Sequence, residues 1–336
     1  MNIIHQLFDI DFVKQLFKEK ILPKYPDFTA IKKIDIKPRK DHIWDQTYHV
    51  VIEYKTQFID KEGKVKKLPI FCSAHSCEPR KNLYRALRFL WDNGFGRSHL
   101  TVPHPLYYSQ KFKATFYRGA KGRNFYYYIR ENRYNDIEKT IPQIAAWFAK
   151  LHKTPNRGIG NFNKRNSRIR TAIPGRDHIL RDIEIKHPHY YAIYKNLYNK
   201  FIRQEEEFLK STDKRWLVHG DAHPENVIKV GEKKLSVIDF NDLCLSDCAR
   251  DVGCFLQQFG YMSDRKIEDK VFVERMKQLF LDSYLRYMGF EYTDSFQARV
   301  QNYSDWTALR TATFFLLKND PNPDRAAYLI DQLINI

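Results

Sequence analysis

The stretch with the clearest chemical content is residues 216–242, WLVHGDAHPENVIKVGEKKLSVIDFND, which places two acids and an amide around a short hairpin. An apolar run ends at Val218, so Asp221 is predicted to lie in the loop that follows a buried element, with Asn226 five residues further on. The runs VIKV and LSVI flank the turn GEKK and predict a tight hairpin. Because the return strand ends at Asp239, we expect this carboxylate close to Asn226.

Residues of these types are the ones that phosphoryl transfer from ATP requires. The transferring group carries several negative charges, which Mg²⁺ neutralises, and Mg²⁺ takes oxygen ligands such as those of Asn and Asp side chains. A further carboxylate orients the acceptor hydroxyl and takes its proton. An Asp followed five residues later by Asn, with a second Asp beyond, is also the spacing of the protein-kinase signature.

The pattern HGD-x-H-P-x-N, followed by a hydrophobic strand and I-D-F, resembles the motif of the aminoglycoside and choline kinase phosphotransferase family. The resemblance spans residues 145–257 and includes AAWFAKLH at 145–152, which is similar to a family helix ending in Leu-His. It implies a bilobal, protein-kinase-like α+β fold, with a small β-rich N-lobe and a larger, mainly helical C-lobe. It also implies a kinase that uses ATP and Mg²⁺ and phosphorylates a hydroxyl of a small-molecule metabolite.

The resemblance also gives individual residues a role. It implies that Asp221 is the catalytic base and that Asn226 and Asp239 are the Mg²⁺ ligands. His219 would support the loop from behind. Asp251, in ARDVGCFL, would support the catalytic loop without touching the substrate.

Two further places are expected to contact the nucleotide. Tyr117 and Arg118 fall where the linker between the lobes would lie, with its backbone near the adenine. A turn predicted at 39–46 would cover the phosphates, so that Arg39 or Lys40 could contact them.

The third predicted strand departs from the family. A kinase of this type carries a Lys on that strand, paired with a helix Glu, whereas Ser73–His75 stands at the expected place here. Glu78 could be a displaced helix Glu, and Lys66 and Lys67 are interpreted as surface lysines. The absence of this lysine leaves an alternative open. The chain could be a catalytically weak, kinase-like nucleotide-binding or regulatory protein, whose basic amino-terminal half binds an anionic partner.

The periodicity of apolar residues predicts the elements that position these residues. The N-lobe is expected over 1–118. Along the first 130 residues we predict a helix at 10–20, strands at 29–37, 47–58 and 65–73, a helix at 80–92, and strand-like runs at 105–117 and 124–130. In the C-lobe, expected over 119–336, we predict helices at 137–152, 191–210, 249–261, 266–288, 296–318 and 324–335, and a long loop at 153–176.

Composition narrows the class of protein. Hydrophobic residues make up 43% of the 336 residues, which is typical of a globular chain, and no apolar run reaches the length of a membrane span. With no recognisable signal peptide, we expect a cytoplasmic protein without membrane contact. The five cysteines form no CxxC pair, so reduced thiols are favoured over a zinc site.

The net charge of +17 is unevenly distributed. Residues 1–150 hold 28 Lys and Arg against 15 Asp and Glu, whereas residues 254–336 hold 10 against 11. A solvated basic face is favoured over a nucleic-acid site. The balanced carboxy-terminal part, where the acceptor should bind, lacks the acidic excess that an aminoglycoside would require.

Overall fold

The computed structural model describes residues 2–78, 80–156 and 159–334. The chain forms two compact units, one of Met1–Arg123 with Ile228–Asn241 and one of Asn124–Val227 with Asp242–Ile336. The first is built on an antiparallel sheet and the second mainly on helices, which confirms the predicted α+β class. The expected lobe boundary after residue 118 stays a prediction.

The first unit begins with helical turns and then forms its main sheet. Its elements are α1 (Ile10–Leu16), β1 (Phe28–Ile43), β2 (Tyr48–Asp60), β3 (Val65–His75), α2 (Lys81–Leu90), β4 (Leu100–Thr101), β5 (His104–Ser109), β6 (Ala114–Arg118) and β7 (Arg123–Asn124). The main sheet has the antiparallel order β1-β2-β3-β6-β5.

The two faces of this sheet differ in character because side chains alternate along each strand. Val50, Ile52 and Tyr54 of β2 are fully buried in one apolar core with Phe17, from the helical turn after α1. Tyr54 also donates its hydroxyl to the Leu7 carbonyl at 2.9 Å. The other face is therefore the one that carries the polar residues of β2 and β3.

Two of the predictions for residues 105–130 were wrong. The run 105–117 is two strands, β5 and β6, because the chain turns at 110–113, where Lys113 adopts a φ of 45°. The run 124–130 is a helix, α3 (Phe125–Arg130), and not a strand. Asn124 caps it by accepting the Tyr127 N–H at 3.0 Å.

The turn predicted at 39–46 is shorter than expected. Strand β1 continues to Ile43, and the reversal is closed by the Trp44 N–H, which donates to the Thr47 carbonyl at 2.9 Å. Arg39 and Lys40 consequently lie within a strand.

The second unit holds the remaining helices, close to their predicted positions, and one helix that was not predicted, α5. They are α4 (Tyr134–Lys153), α5 (Arg176–Lys186), α6 (Tyr191–Ser211), α7 (Ala249–Asp264), α8 (Lys270–Met288), α9 (Asp294–Leu317) and α10 (Pro323–Ile334). Within the predicted loop 153–176, residues 157 and 158 lie outside the described residues. Among the described residues, no helix is long and apolar enough to cross a membrane.

Short strands complete the fold. In the second unit, β8 (Trp216–Val218) pairs with β11 (Cys244–Ser246). Between them, β9 (Val227–Gly231) and β10 (Lys234–Val237) form the predicted hairpin. The sheet to which they belong has the order β4-β10-β9-β7, so most of the hairpin groups with the first unit.

Candidate active site

The loop that carries Asp221 leaves β8 through a tight turn. Gly220 adopts a φ of 83°, in the left-handed region that favours glycine. A Cβ atom at this position would lie 2.6 Å from the Asp242 carbonyl oxygen. The HGD sequence therefore needs glycine at its centre for this turn to form.

Asp251, in the first turn of α7, holds this loop by its backbone. Its Oδ2 accepts the His219 N–H at 2.7 Å, and its Oδ1 accepts the Gly220 N–H at 2.9 Å. Burial acts to raise the pKa of Asp251, but its hydrogen bonds and the nearby His152 and His219 hold the pKa below its usual range. An ionised, fully buried carboxylate thus anchors the loop.

His152, near the end of α4, orients that carboxylate. Its Nε2 lies 3.0 Å from Asp251 Oδ2, and its Nδ1 lies 2.7 Å from the Tyr284 hydroxyl. Because an ionised carboxylate only accepts, Nε2 carries a proton and donates it to Asp251. The Leu-His ending of AAWFAKLH therefore serves to position Asp251.

Arg250 is a structural residue of the site that the sequence analysis missed. It is buried, donates to the Gly220 carbonyl at 3.1 Å and to the Asn166 carbonyl, and lies over the Trp306 ring. The available signal was its place beside Asp251: both residues fall in the first turn of α7, so both side chains can reach the same loop.

Asp221 projects from the loop with 45% of its side chain exposed. Its backbone N–H donates to His219 Nδ1 at 3.3 Å, and its Oδ2 lies 3.4 Å from His223 Nε2. Desolvation acts to raise the pKa of Asp221, but hydrogen bonding to His223 and the electrostatic effects of His223, His219 and Arg310 outweigh it and lower the pKa. Asp221 is therefore ionised at neutral pH.

Asn226 is held against Asp221. Its Nδ2 donates to the Asp221 carbonyl at 3.0 Å and to Oδ2 at 3.3 Å, and lies 2.9 Å from His223 Nε2. Since both Asp221 atoms only accept, they fix the orientation of the amide. The Asn226 Oδ1 atom consequently faces away from Asp221.

Asp239 lies in the first unit, just after β10, and its side chain is exposed. Its φ of 65° is unusual for a residue other than glycine. Asn241 Nδ2 donates to Asp239 Oδ1 at 2.5 Å and holds the carboxylate at this turn.

Tyr117, the first of the two predicted linker residues, lies near Asp239. Its ring stacks on Phe71 with 5.8 Å between the ring centroids. Burial raises the pKa of Tyr117, and the negative charge of Asp239 raises it further. Arg118 is the next residue of β6 and lies close to Tyr25. Burial raises the pKa of the Tyr25 hydroxyl, and the charge of Arg118 opposes part of that rise.

Arg39 and Lys40 have different surroundings. Arg39 donates its Nε to the buried Glu53 at 2.9 Å, so its charge is already paired. Lys40 acts on His49 of the neighbouring strand, whose pKa is lowered first by burial and then by the charge of Lys40. The structure therefore brings together Asp221, Asn226, His219 and Asp251 in the second unit, and Tyr117 and Asp239 in the first.

A family model described as "Phosphotransferase enzyme family" matches residues 71–290. The match covers more than half of the chain, and the chain therefore belongs to this phosphotransferase family. The comparison with curated proteins found no match.

Three solved structures of small-molecule kinases have a similar fold. An ethanolamine kinase from Plasmodium vivax has a TM-score of 0.59 at 14% identity, covering 96% of this chain and 87% of its own. A spectinomycin phosphotransferase in complex with ADP and spectinomycin has a TM-score of 0.56 at 14% identity, covering 96% and 94%. An amicoumacin kinase in complex with AMP-PNP and Ca²⁺ has a TM-score of 0.57 at 15% identity, covering 94% and 92%. The predicted protein-kinase-like fold is confirmed.

Proposed function

We propose that the protein transfers the γ-phosphoryl group of ATP to a hydroxyl of a small molecule, with Mg²⁺ as the metal ion. Membership of the phosphotransferase family supports the reaction class. The similar structures that hold ADP, or AMP-PNP with Ca²⁺, support a nucleotide and a divalent cation as cofactors.

The observation that carries the proposal is the anchored loop from His219 to Asp221. Its backbone is bound by the Asp251 carboxylate, so Asp221 presents an ionised carboxylate from a fixed position. Such a group can accept a hydrogen bond from the acceptor hydroxyl and orient its oxygen for attack. Because the pKa of Asp221 is low, it takes the proton late, and orientation is its main contribution.

Asn226 and Asp239 are the residues that we propose as metal ligands. They offer an amide oxygen and a carboxylate, the donor types that Mg²⁺ prefers, and they would leave further positions for water and phosphate oxygens. Asn226 directs Nδ2 at Asp221 and thereby keeps Oδ1 for another partner, while the Asp239 side chain is exposed. A bound Mg²⁺ would neutralise negative charge on the transferring group.

We propose the backbone of Tyr117 and Arg118 as the contact for the adenine. Of the two candidates for phosphate contact, Lys40 is the stronger one, because Arg39 is paired with Glu53.

We further propose that the acceptor is a neutral or anionic hydroxyl compound. Arg310 of α9 is close enough to Asp221 to lower its pKa. A polycationic acceptor placed at Asp221 would be repelled by this guanidinium. The balanced charge of residues 254–336 agrees with this class.

A single-turnover assay of ATP consumption tests the proposal. The protein is mixed with ATP, Mg²⁺ and pools of neutral, anionic and cationic hydroxyl metabolites, with Asp221→Asn as the blank. We expect acceptor-dependent consumption from a neutral or anionic pool. Binding of ATP without consumption above the blank in any pool would favour the regulatory alternative.

A further inference from the structure

The polar face of the main sheet carries a row of histidines. His49 of β2 is paired in register with His42 of β1 and with His75 of β3. The rings of His49 and His75 lie 4.7 Å apart between centroids. Their strand neighbours Val50 and Ala74 are buried in the apolar core, so the histidines face away from that core.

Arg80, just before α2, extends its side chain to this row. Its backbone N–H donates to the Lys113 carbonyl at 3.1 Å, and its carbonyl accepts from the Thr115 hydroxyl. The guanidinium Nη2 lies 3.4 Å from His49 Nε2. Two backbone contacts to the β5–β6 hairpin therefore fix the residue from which this guanidinium extends.

The guanidinium of Arg80 is buried but poorly satisfied. Its side chain is only 9% exposed, and its Nε finds no hydrogen-bond partner among the described residues. Among the residues that the structure describes, its acidic contact is Glu78, at the long distance of 3.4 Å and with 55% of that side chain exposed. Burying a charge with unmet hydrogen bonds is costly, which indicates that an acceptor from outside the chain completes it.

The groups around Arg80 add donors and positive charge. His75 Nδ1 accepts the N–H groups of Cys77 and Glu78, at 3.2 Å and 3.0 Å, so in the neutral ring the proton lies on Nε2, which can donate. The pKa of His49 is lowered to about 4, first by burial and then by the nearby Lys40, Arg80, His75 and His42. The row therefore lies in a positive potential.

We propose that Arg80, His75 and Lys40 form a binding subsite for the phosphate groups of the nucleotide, in place of the lysine that the third strand lacks. The inference rests on the proposed function for the identity of its ligand. Arg80 and Asp239 both act electrostatically on Tyr117, so the subsite and the proposed metal ligand flank the same residue of the first unit. Lys66, at the start of the third strand, lies 3.5 Å from Asp60 in an ion pair near the β2–β3 turn, as expected of a surface lysine.

Calorimetric titration of the full-length protein with ATP, adenosine and inorganic tripolyphosphate tests the subsite, using Arg80→Met, His75→Gln and Lys40→Ala. Losing a charge-assisted contact to phosphate should weaken ATP and tripolyphosphate binding by about 10- to 100-fold for Arg80→Met. Adenosine binding should not change. We expect smaller losses for the other two variants. His75→Gln removes a single donor, and Lys40→Ala removes a donor that is more exposed.

Thermal unfolding without ligand provides the second readout. Because Arg80 is buried with an unmet donor, Arg80→Met should be as stable as the wild type or more so. Arg88→Ala, on the exposed side of α2, the helix that follows Arg80, is the matched control and should leave all three affinities unchanged.

The outcomes separate the two proposals. Wild-type affinity for ATP in a folded Arg80→Met variant overturns the subsite and leaves the proposed function intact. A different outcome is that the wild type binds tripolyphosphate through Arg80, does not bind adenosine, and binds ATP no more tightly than tripolyphosphate. In that case the subsite stands and the proposed function fails. Equal weakening of adenosine and ATP by Arg80→Met also overturns the subsite, since the loss would then not concern phosphate.

Discussion

Asp251 accepts the backbone N–H of Gly220 at 2.9 Å, and thereby ties the first turn of α7 to the turn that presents the proposed catalytic carboxylate. Its other oxygen accepts the His219 N–H and the His152 ring N–H. One buried carboxylate thus satisfies three buried donors. The loop keeps its shape only as long as that carboxylate is present and ionised.

Asp251→Ala should therefore destabilise the protein strongly. The substitution leaves buried donors without an acceptor, and breaking a buried charged network of this kind costs about 3–5 kcal/mol. Urea unfolding of the wild type and the variant measures the difference.

Asp264→Ala, in the last turn of the same helix, is the control. Its ion pair with Lys270 is solvent-exposed, so its loss should cost less than about 1 kcal/mol. Similar losses in the two variants would show that the loop does not depend on Asp251.

Glu205 of α6 should make the stability depend on pH. It is buried, and it accepts the Ile169 N–H at 2.9 Å and the Tyr303 hydroxyl at 3.0 Å. Burial raises its pKa from 4.5 to about 7, although the two donors and the charges of Arg250 and Arg168 oppose the rise. The folded state therefore holds this proton more tightly than the unfolded state does, and stability falls as pH rises from about 4.5 to about 7.

Glu205→Gln should remove that dependence, on the order of 3 kcal/mol between pH 4.5 and pH 8, since one pKa unit corresponds to about 1.4 kcal/mol. Gln keeps one accepting oxygen, and the Tyr303 hydroxyl can rotate to accept from its amide. The free energy of unfolding at both pH values, in both proteins, gives the comparison. An identical pH profile in the two would rule out Glu205 as the cause.

Asp239→Ala should abolish the Mg²⁺-dependent part of ATP binding while the protein stays folded. The side chain is exposed, and alanine at its left-handed φ costs only about 1–2 kcal/mol. Thermal shift by ATP, with and without Mg²⁺, is the measurement. Glu232→Ala, in the turn of the same hairpin, should behave as the wild type, and a full Mg²⁺-dependent shift in Asp239→Ala would remove this residue from the proposed site.

The sequence predicted the parts of the molecule that local pattern controls. The helices after residue 190 were found because apolar residues recur at helical spacing, and the 227–237 hairpin because two apolar runs flank a clear turn. The HGDxHPxN motif identified the loop because its residue types and spacing have a chemical reason. The helix Phe125–Arg130 was misassigned because its aromatic residues favour strands, while the cap at Asn124 and the burial of Phe125 and Ile129 decide the structure.

Residues that act over long sequence distances were harder to predict. Arg80 lies 31 positions from His49, and Arg250 lies 84 from Asn166, so only the fold brings each pair together. The loss of the third-strand lysine was visible in the sequence. The buried guanidinium that we propose in its place was not, because nothing local shows that Arg80 extends to the sheet.

The most direct test of the account is the turnover of Asp221→Asn beside its affinity for ATP, on whichever acceptor the metabolite pools yield. Asn keeps the shape of the side chain but can neither take the proton nor attract it, so turnover should fall by about 10²- to 10⁴-fold. The ATP affinity of Asp221→Asn should remain within about threefold of wild type. Asp213→Asn, at an exposed position, is the control, and both its turnover and its ATP affinity should equal those of the wild type. A folded Asp221→Asn protein that turns over at the wild-type rate would contradict the assignment of Asp221 and, with it, the proposed mechanism.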